Sequence, residues 1–108
     1  MIRGFQTTVM ADEDLIEGAR WIRADNARAA RRFLDLAFAT FDRLARFPKS
    51  GPLARLKHKR LACVRFCVMP PPFNRWVVFY QWNGAVVVVL RVVYGTQNWR
   101  GNPASFFV

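Results

Sequence analysis

Apolar residues in the first half of the chain recur every three or four positions, the period of a helix with one buried face. The pattern predicts a helix from Val9 to Ala24, with Thr8 as its N-cap, and a second from Ala27 to Arg46, capped by Asn26. The turn between them is so short that the two helices must lie antiparallel. Gly18 marks either a close approach of a neighbouring helix or a weak point.

The second half of the chain is rich in the β-branched and aromatic residues of strands. Segments Arg75–Trp82 and Ala85–Tyr94 flank Asn83-Gly84, a dipeptide favoured in two-residue type I′ turns. This predicts a hairpin in which Trp76 faces Arg91. Both faces of the hairpin are largely apolar, so each must be covered by this chain or by another one.

Two more strands complete the predicted sheet: a short edge strand over Arg3–Thr8, and Leu61–Val68, which three prolines terminate. The predicted fold class is therefore α+β, with a short N-terminal strand, an antiparallel helical hairpin and a three-stranded antiparallel meander. The chain has 108 residues, of which 53% are hydrophobic. We expect residues 1–108 to form a single domain with its own core.

Charge is distributed very unevenly along the chain. The net charge is +10, yet all seven acidic residues precede position 43, and residues 43–108 contain eleven Lys and Arg. A buried arginine in the hairpin, Arg91 above all, must therefore find its carboxylate in the N-terminal part, where Asp14 is the candidate. The cationic part should attract an acidic protein or nucleic acid. Direct nucleic-acid binding is less favoured, because aromatic residues beside valines in a central hairpin are typical of a core.

The inventory of reactive side chains argues against common catalytic and metal sites. Cys63 and Cys67 share a face of the predicted strand roughly 13 Å apart, too far for a disulfide, and we interpret them as buried free thiols. His58 is the only histidine and has no second ligand pair at zinc spacing. We expect no metal and no cofactor. The chain has no apolar run long enough to span a bilayer, and its start lacks the apolar stretch of a secretory signal, which favours a cytoplasmic protein without membrane attachment.

Five segments, in this order and spacing, resemble the RelE/ParE toxin superfamily over roughly residues 8–98, and are nearest to ParE-like plasmid-stabilisation toxins. The segments are Asp14-Leu15; Asp25-Asn26 with Ala29-Ala30 and Arg32-Phe33-Leu34; Leu44-Ala45-Arg46-Phe47-Pro48 with Gly51; Val78-Phe79-Tyr80; and Arg91-Val92-Val93-Tyr94-Gly95. The resemblance implies the toxin of a type II toxin–antitoxin system. It also implies a complex with a cognate, ParD-like acidic antitoxin whose C-terminal segment wraps the toxin.

The resemblance leaves two activities to choose between. ParE-like members act on DNA gyrase, whereas RelE-like members cut mRNA in the ribosome with basic and tyrosine side chains. The RelE pattern has arginines where this chain has Val77 and Gln97, and a tyrosine near the C-terminus, whereas none follows Tyr94 here. Without those cations, the developing phosphorane charge would not be stabilised. We therefore predict a gyrase inhibitor that is not an enzyme.

The chain also departs from the ParE pattern. It has Tyr94 where histidine is usual, Gln97-Asn98 where Arg-Asp is usual, Gly18 where an apolar residue is usual and Ala27 where proline is usual. Two alternatives stay open beside gyrase inhibition. One is a RelE-like, ribosome-dependent mRNA endonuclease using Arg60, Arg65 or Arg91, and the other is a detoxified module that only binds the antitoxin.

Candidate site residues fall into two sets. The candidates for contact with the target are Arg65, Arg91, Gln97, Asn98, Trp99 and Arg100. The candidates for antitoxin binding are Leu15, Trp21, Phe38, Trp76, Tyr80 and Trp82. No residue is assigned a catalytic role.

Overall fold

The structure is a computed structural model that describes residues 4–56 and 59–95. In chain order the elements are β1 (Phe5–Thr7), α1 (Val9–Arg23), α2 (Ala27–Arg46), a short 3₁₀ helix (Lys59–Leu61), β2 (Arg65–Val68), β3 (Trp76–Trp82) and β4 (Val87–Tyr94). The strand order is β1-β4-β3-β2, with β1 parallel to β4 and the other pairs antiparallel. This confirms the predicted α+β class, with its N-terminal strand, helical hairpin and meander.

Both predicted N-caps are present. The Thr8 hydroxyl accepts a hydrogen bond from the Ala11 amide at 3.0 Å, and the Asn26 side chain accepts one from the Ala29 amide at 3.0 Å. The Thr8 hydroxyl also donates to the Leu90 carbonyl at 2.8 Å, which fixes the start of α1 to β4. Neither described helix combines the length and apolarity needed to cross a membrane.

The two helices pack on one face of the sheet and form the main core with it. The fully buried members of this core include Phe33, Phe41 and Leu44 from α2 and Val78, Tyr80, Val87, Val89 and Val92 from the hairpin. At Gly18 a Cβ atom would lie 2.8 Å from Cη2 of Trp76 and 3.2 Å from Cε2 of Phe33. Gly18 is therefore a point of close approach, and what approaches is the Trp76 ring of β3 together with α2.

The hairpin is confirmed, but its predicted two-residue loop is wrong. The Asn83 side-chain oxygen accepts hydrogen bonds from the amides of Ala85 and Val86, both at 2.9 Å. These bonds extend the turn to Val86, so that Trp82 pairs with Val87 and not with Ala85. Gly84 supplies the positive φ of +93° that the loop requires.

A bulge in β4 then shifts the register once more. Leu90 is the extra residue, and beyond it Phe79 pairs with Arg91. The predicted pair of Trp76 and Arg91 is therefore also wrong, because Trp76 pairs with Tyr94. The two aromatic rings contact each other edge to face, with centroids 5.4 Å apart.

The far face of the sheet is partly covered by this chain itself. The segment between α2 and β2 folds onto it and forms a second core, made of Ala54, Leu56, Leu61, Val64, Phe79 and Val93. Some of the apolar surface that the hairpin pattern left to be covered is thus buried within the chain. The half-buried side chains of Phe66, Val77 and Leu90 pack around this second core.

The strand predicted over Leu61–Val68 is shorter than expected. Residues 59–61 form the 3₁₀ helix, and the Val64 amide donates to the Leu61 carbonyl at 3.2 Å, so that the strand begins only at Arg65. As a result Cys63 lies outside the strand and is exposed, whereas Cys67 is half-buried within it. The predicted pair of buried thiols on one strand face is therefore wrong.

Candidate binding grooves

An ion pair joins α1 to β4. The guanidinium of Arg91 donates from Nε to Oδ2 of Asp14 at 2.7 Å and from Nη2 to Oδ1 at 2.9 Å. The Val92 amide adds a third bond to Oδ2 at 2.9 Å. Only 17% and 15% of the two side chains are exposed. The predicted partner of Arg91 is thus confirmed, and the forked contact compensates both charges within the fold.

A second set of contacts holds the loop that follows α2. Nη1 of Arg65 donates to the Gly51 carbonyl at 2.7 Å and to the Lys49 carbonyl at 3.5 Å. The fully buried hydroxyl of Tyr80 accepts the Gly51 amide at 2.9 Å. Arg65 and Tyr80 therefore fix the loop against the sheet.

One open groove of about 920 Å³ lies between α1 and α2, and we call it the inter-helix groove. Its walls are mainly aliphatic, with Ile16 and Phe38 exposed by 55% and 39%. Arginines and one aspartate stand among the apolar residues. The lining consists of Asp12, Leu15, Ile16, Ala19, Arg20, Arg23, Ala27, Ala30, Arg31, Leu34 and Phe38.

Another open groove, of about 780 Å³, lies between α1 and the end of β4, and we call it the aromatic groove. The rings of Trp21 and Tyr94 contact each other with centroids 5.9 Å apart. Carboxylates of α1 line the same groove. The full lining is Glu13, Asp14, Glu17, Gly18, Trp21, Trp76, Arg91, Val92, Val93 and Tyr94.

Residues 6–99 match the family model of the ParE toxin of type II toxin–antitoxin systems, parDE. The chain belongs to this family. Membership implies the toxin of a type II toxin–antitoxin system and an antitoxin partner. A search of curated proteins finds no matching sequence.

In this ParE toxin, the residues predicted to contact the target are only partly described. Arg65 and Arg91 are bound to groups of the toxin itself, as shown above. The other candidates, Gln97, Asn98, Trp99 and Arg100, lie outside the described residues. Their role stays a prediction.

The six residues predicted to contact the antitoxin divide by exposure. Leu15, Trp76 and Tyr80 are core residues, exposed by 4%, 7% and 0%, and of these Leu15 lines the inter-helix groove and Trp76 lines the aromatic groove. Their contact with the antitoxin stays a prediction. Trp21, Phe38 and Trp82 are exposed and stay candidates, although they lie at three different places: the aromatic groove, the inter-helix groove and the end of the hairpin.

Sequence reasoning missed the carboxylates of the aromatic groove. Glu13, Glu17 and Trp21 follow one another at intervals of four, which places them on one face of α1. That spacing was the available signal. Tyr94 joins them only because β1 pairs with β4 and brings α1 alongside that strand.

Cys67 lies outside both grooves, on β2. Burial raises the pKa of the Cys67 thiol, and the nearby positive charge of Arg43 offsets this only in part. A thiol with a raised pKa is a weak nucleophile at neutral pH. Within residues 4–56 and 59–95, no three His, Cys, Asp or Glu side chains are grouped so that they could hold a metal ion.

Proposed function

We propose that this ParE toxin inhibits DNA gyrase without an enzymatic step, and that a ParD-like acidic antitoxin neutralises it by binding in the inter-helix groove. The observation that carries the first part is the engagement of Arg65 and Arg91 in structural contacts. These are two of the three cations that a ribonuclease of this superfamily would have to use in place of its missing arginines.

Catalysis of phosphodiester cleavage needs donors already aimed at the charge that develops in the transition state. Nε and Nη2 of Arg91 both donate to the carboxylate of Asp14, and Nη1 of Arg65 donates to the Gly51 carbonyl. Redirecting Arg91 would leave a largely buried carboxylate without its partner, which is strongly unfavourable. The geometry therefore favours a toxin that acts by binding.

The inter-helix groove has the chemistry that an acidic amphipathic helix requires. Its apolar walls can accept aliphatic side chains at helical spacing, and Ile16 is more than half exposed there. Arg20 and Arg23 are exposed beside these walls, where they can pair with carboxylates of the partner. A helix with one apolar and one acidic face would satisfy both features.

The target is tested with the purified full-length toxin in two parallel assays. We expect stoichiometric toxin to block supercoiling by DNA gyrase and to leave ribosome-bound mRNA intact. Addition of the antitoxin should restore supercoiling. Cleavage of the message without any effect on gyrase would overturn the proposal in favour of the endonuclease. Antitoxin binding without growth arrest or gyrase inhibition would identify a detoxified module instead.

The antitoxin site is tested by the variant Ile16→Glu. A carboxylate in the groove should weaken antitoxin binding by at least about tenfold, since it buries an unpaired charge and repels acidic side chains. Val9→Glu is the matched control, because Val9 is 72% exposed and is not part of the groove lining. Equal antitoxin affinity for the two variants in a calorimetric titration would place the antitoxin elsewhere.

A further inference from the structure

The aromatic groove carries the opposite charge from most of the molecule. Glu13 and Glu17 are exposed on its rim, and neither has a hydrogen-bond or ion-pair partner within residues 4–56 and 59–95. The Asp14 carboxylate in the same groove is already neutralised by Arg91. Among the residues that the structure describes, two negative charges are therefore left on the groove, in a chain whose net charge is +10.

The overall positive charge does not cancel this local one. At physiological ionic strength the Debye length is about 8 Å, so that exposed charges further away are largely screened. The charged residues of the groove lining are Glu13, Asp14, Glu17 and Arg91, which together carry a net charge of 1 − 3 = −2. A cation that enters the groove thus meets a negative potential.

The walls of the groove are aromatic and open to a ligand. Trp21 is 66% exposed and Tyr94 is 43% exposed, although their rings touch each other. Exposed aromatic faces attract cations through the ring quadrupole. Below them the Trp76 ring is buried and held by Phe33, with ring centroids 4.7 Å apart. The base of the groove, formed by Trp76, is therefore held in place by the core.

We propose that the aromatic groove binds the guanidinium group of an arginine side chain in a basic segment of a partner polypeptide. A guanidinium can stack on an aromatic ring and offer paired donors to a carboxylate at the same time, whereas an ammonium is a hydrated point charge that does neither as well. The groove volume of about 780 Å³ accommodates such a side chain together with its flanking backbone. This inference does not depend on the proposed target or on the inter-helix groove, because other residues carry it.

The probe for this site is a short blocked peptide, acetyl-Ala-Arg-Ala-amide, with the citrulline peptide as its uncharged isostere. In heteronuclear NMR titrations of the full-length toxin, the arginine peptide should shift the indole N–H of Trp21 saturably. The citrulline peptide should bind at least about tenfold more weakly, because it retains the shape but lacks the charge. Added salt should weaken binding of the arginine peptide.

Three variants assign the effect to named groups. Glu13→Gln combined with Glu17→Gln should lower the affinity by about tenfold, as should Trp21→Ala, since both remove attraction for the guanidinium. In Trp21→Ala, which lacks the indole, binding is followed through the backbone amide of Tyr94. Asp42→Asn removes one exposed carboxylate that is not in the groove lining, and should change nothing. Equal binding of the two peptides, or equal affinity of the glutamine and control variants, would overturn the proposal. Self-association that the Glu13/Glu17 double variant abolishes would assign the groove to a second copy of the toxin, and would overturn it as well.

Discussion

The two grooves share helix α1 but differ in almost every chemical respect. The inter-helix groove has aliphatic walls with arginines beside them, whereas the aromatic groove has aromatic walls with the carboxylates of Glu13 and Glu17 on its rim. Net charge therefore describes neither of them. A molecule of +10 can present one surface suited to an acidic partner and another suited to a basic one.

The order of residues along α1 produces this difference. Its acidic residues lie between positions 12 and 17, and Arg20 and Arg23 lie in the last turn, an arrangement that also complements the helix dipole. Helical spacing then directs Glu13 and Glu17 towards β4 and directs Ile16 and Arg20 towards α2. One helix thus supplies opposite surfaces to its two neighbours.

The largest effect on this arrangement should come from Asp14→Asn. The change leaves Arg91 without its carboxylate at a site where only 17% of the side chain is exposed. We expect the free energy of unfolding to fall by about 3 kcal/mol, as measured by urea denaturation followed by tryptophan fluorescence. Because the ion pair joins α1 to β4, binding in the aromatic groove should suffer more than binding in the inter-helix groove.

Asp42→Asn provides the matched control for this change. Asp42 is exposed on α2, and its loss should alter the free energy of unfolding by no more than about 0.5 kcal/mol. If the two variants were equally stable, the Asp14–Arg91 contact would not be what holds α1 to the sheet.

A smaller effect is expected at the floor of the aromatic groove. Gly18→Ala places a Cβ atom 2.8 Å from the Trp76 ring. Overpacking of this kind costs about 1–3 kcal/mol, which exceeds the gain of about 1 kcal/mol in helix propensity, so that we expect a net loss of stability.

The same substitution should cost less stability when the ring at position 76 is made smaller. A Trp76→Phe background removes the contact at 2.8 Å and leaves the one at 3.2 Å from Phe33, so that Gly18→Ala should destabilise this background less than the native toxin. Urea denaturation of the four proteins in this double-mutant cycle measures the coupling. Additive effects of the two substitutions would show that Gly18 does not make room for Trp76.

Much of the fold could be predicted from local chemistry. Thr8 and Asn26 are good caps wherever a helix begins, and Asn83-Gly84 favours a turn in most contexts. Even the long-range partner of Arg91 was predictable, because every carboxylate of the chain precedes residue 43. The caps and the turn depend on the type of one or two residues, and the partner of Arg91 depends on where the acidic residues lie in the sequence. Tertiary structure did not override these features.

The register and the grooves could not be predicted in the same way. Valines run through positions 86–89 without alternation, so that the pattern cannot show where the turn ends or that Leu90 forms a bulge. Aromatic residues on a strand suit a core and a docking surface equally well, so that the pattern cannot show that Trp76 and Tyr80 are buried. The contact of Trp21 with Tyr94 joins residues far apart in sequence and arises only in the folded chain.

The smallest effect concerns a residue outside both grooves. Because burial raises the pKa of the Cys67 thiol, little of it is thiolate at neutral pH, and alkylation by iodoacetamide should be slow until the pH is raised well above the ordinary thiol range. The exposed Cys63 should react first. Mass spectrometry of partly alkylated toxin gives both rates, and ligands of either groove should leave the rate at Cys67 unchanged. Faster reaction at Cys67 than at Cys63 would contradict the burial described here.

The most direct test of two grooves with opposite preference is an NMR titration of one toxin sample with two peptides. One is an acidic amphipathic helical peptide, and the other is the blocked arginine peptide. We predict that the acidic peptide shifts the signals of Ile16 and Phe38, that the arginine peptide shifts those of Trp21 and Tyr94, and that each still binds when the other is saturating. Displacement of one peptide by the other, or perturbation of the same residues by both, would contradict the account.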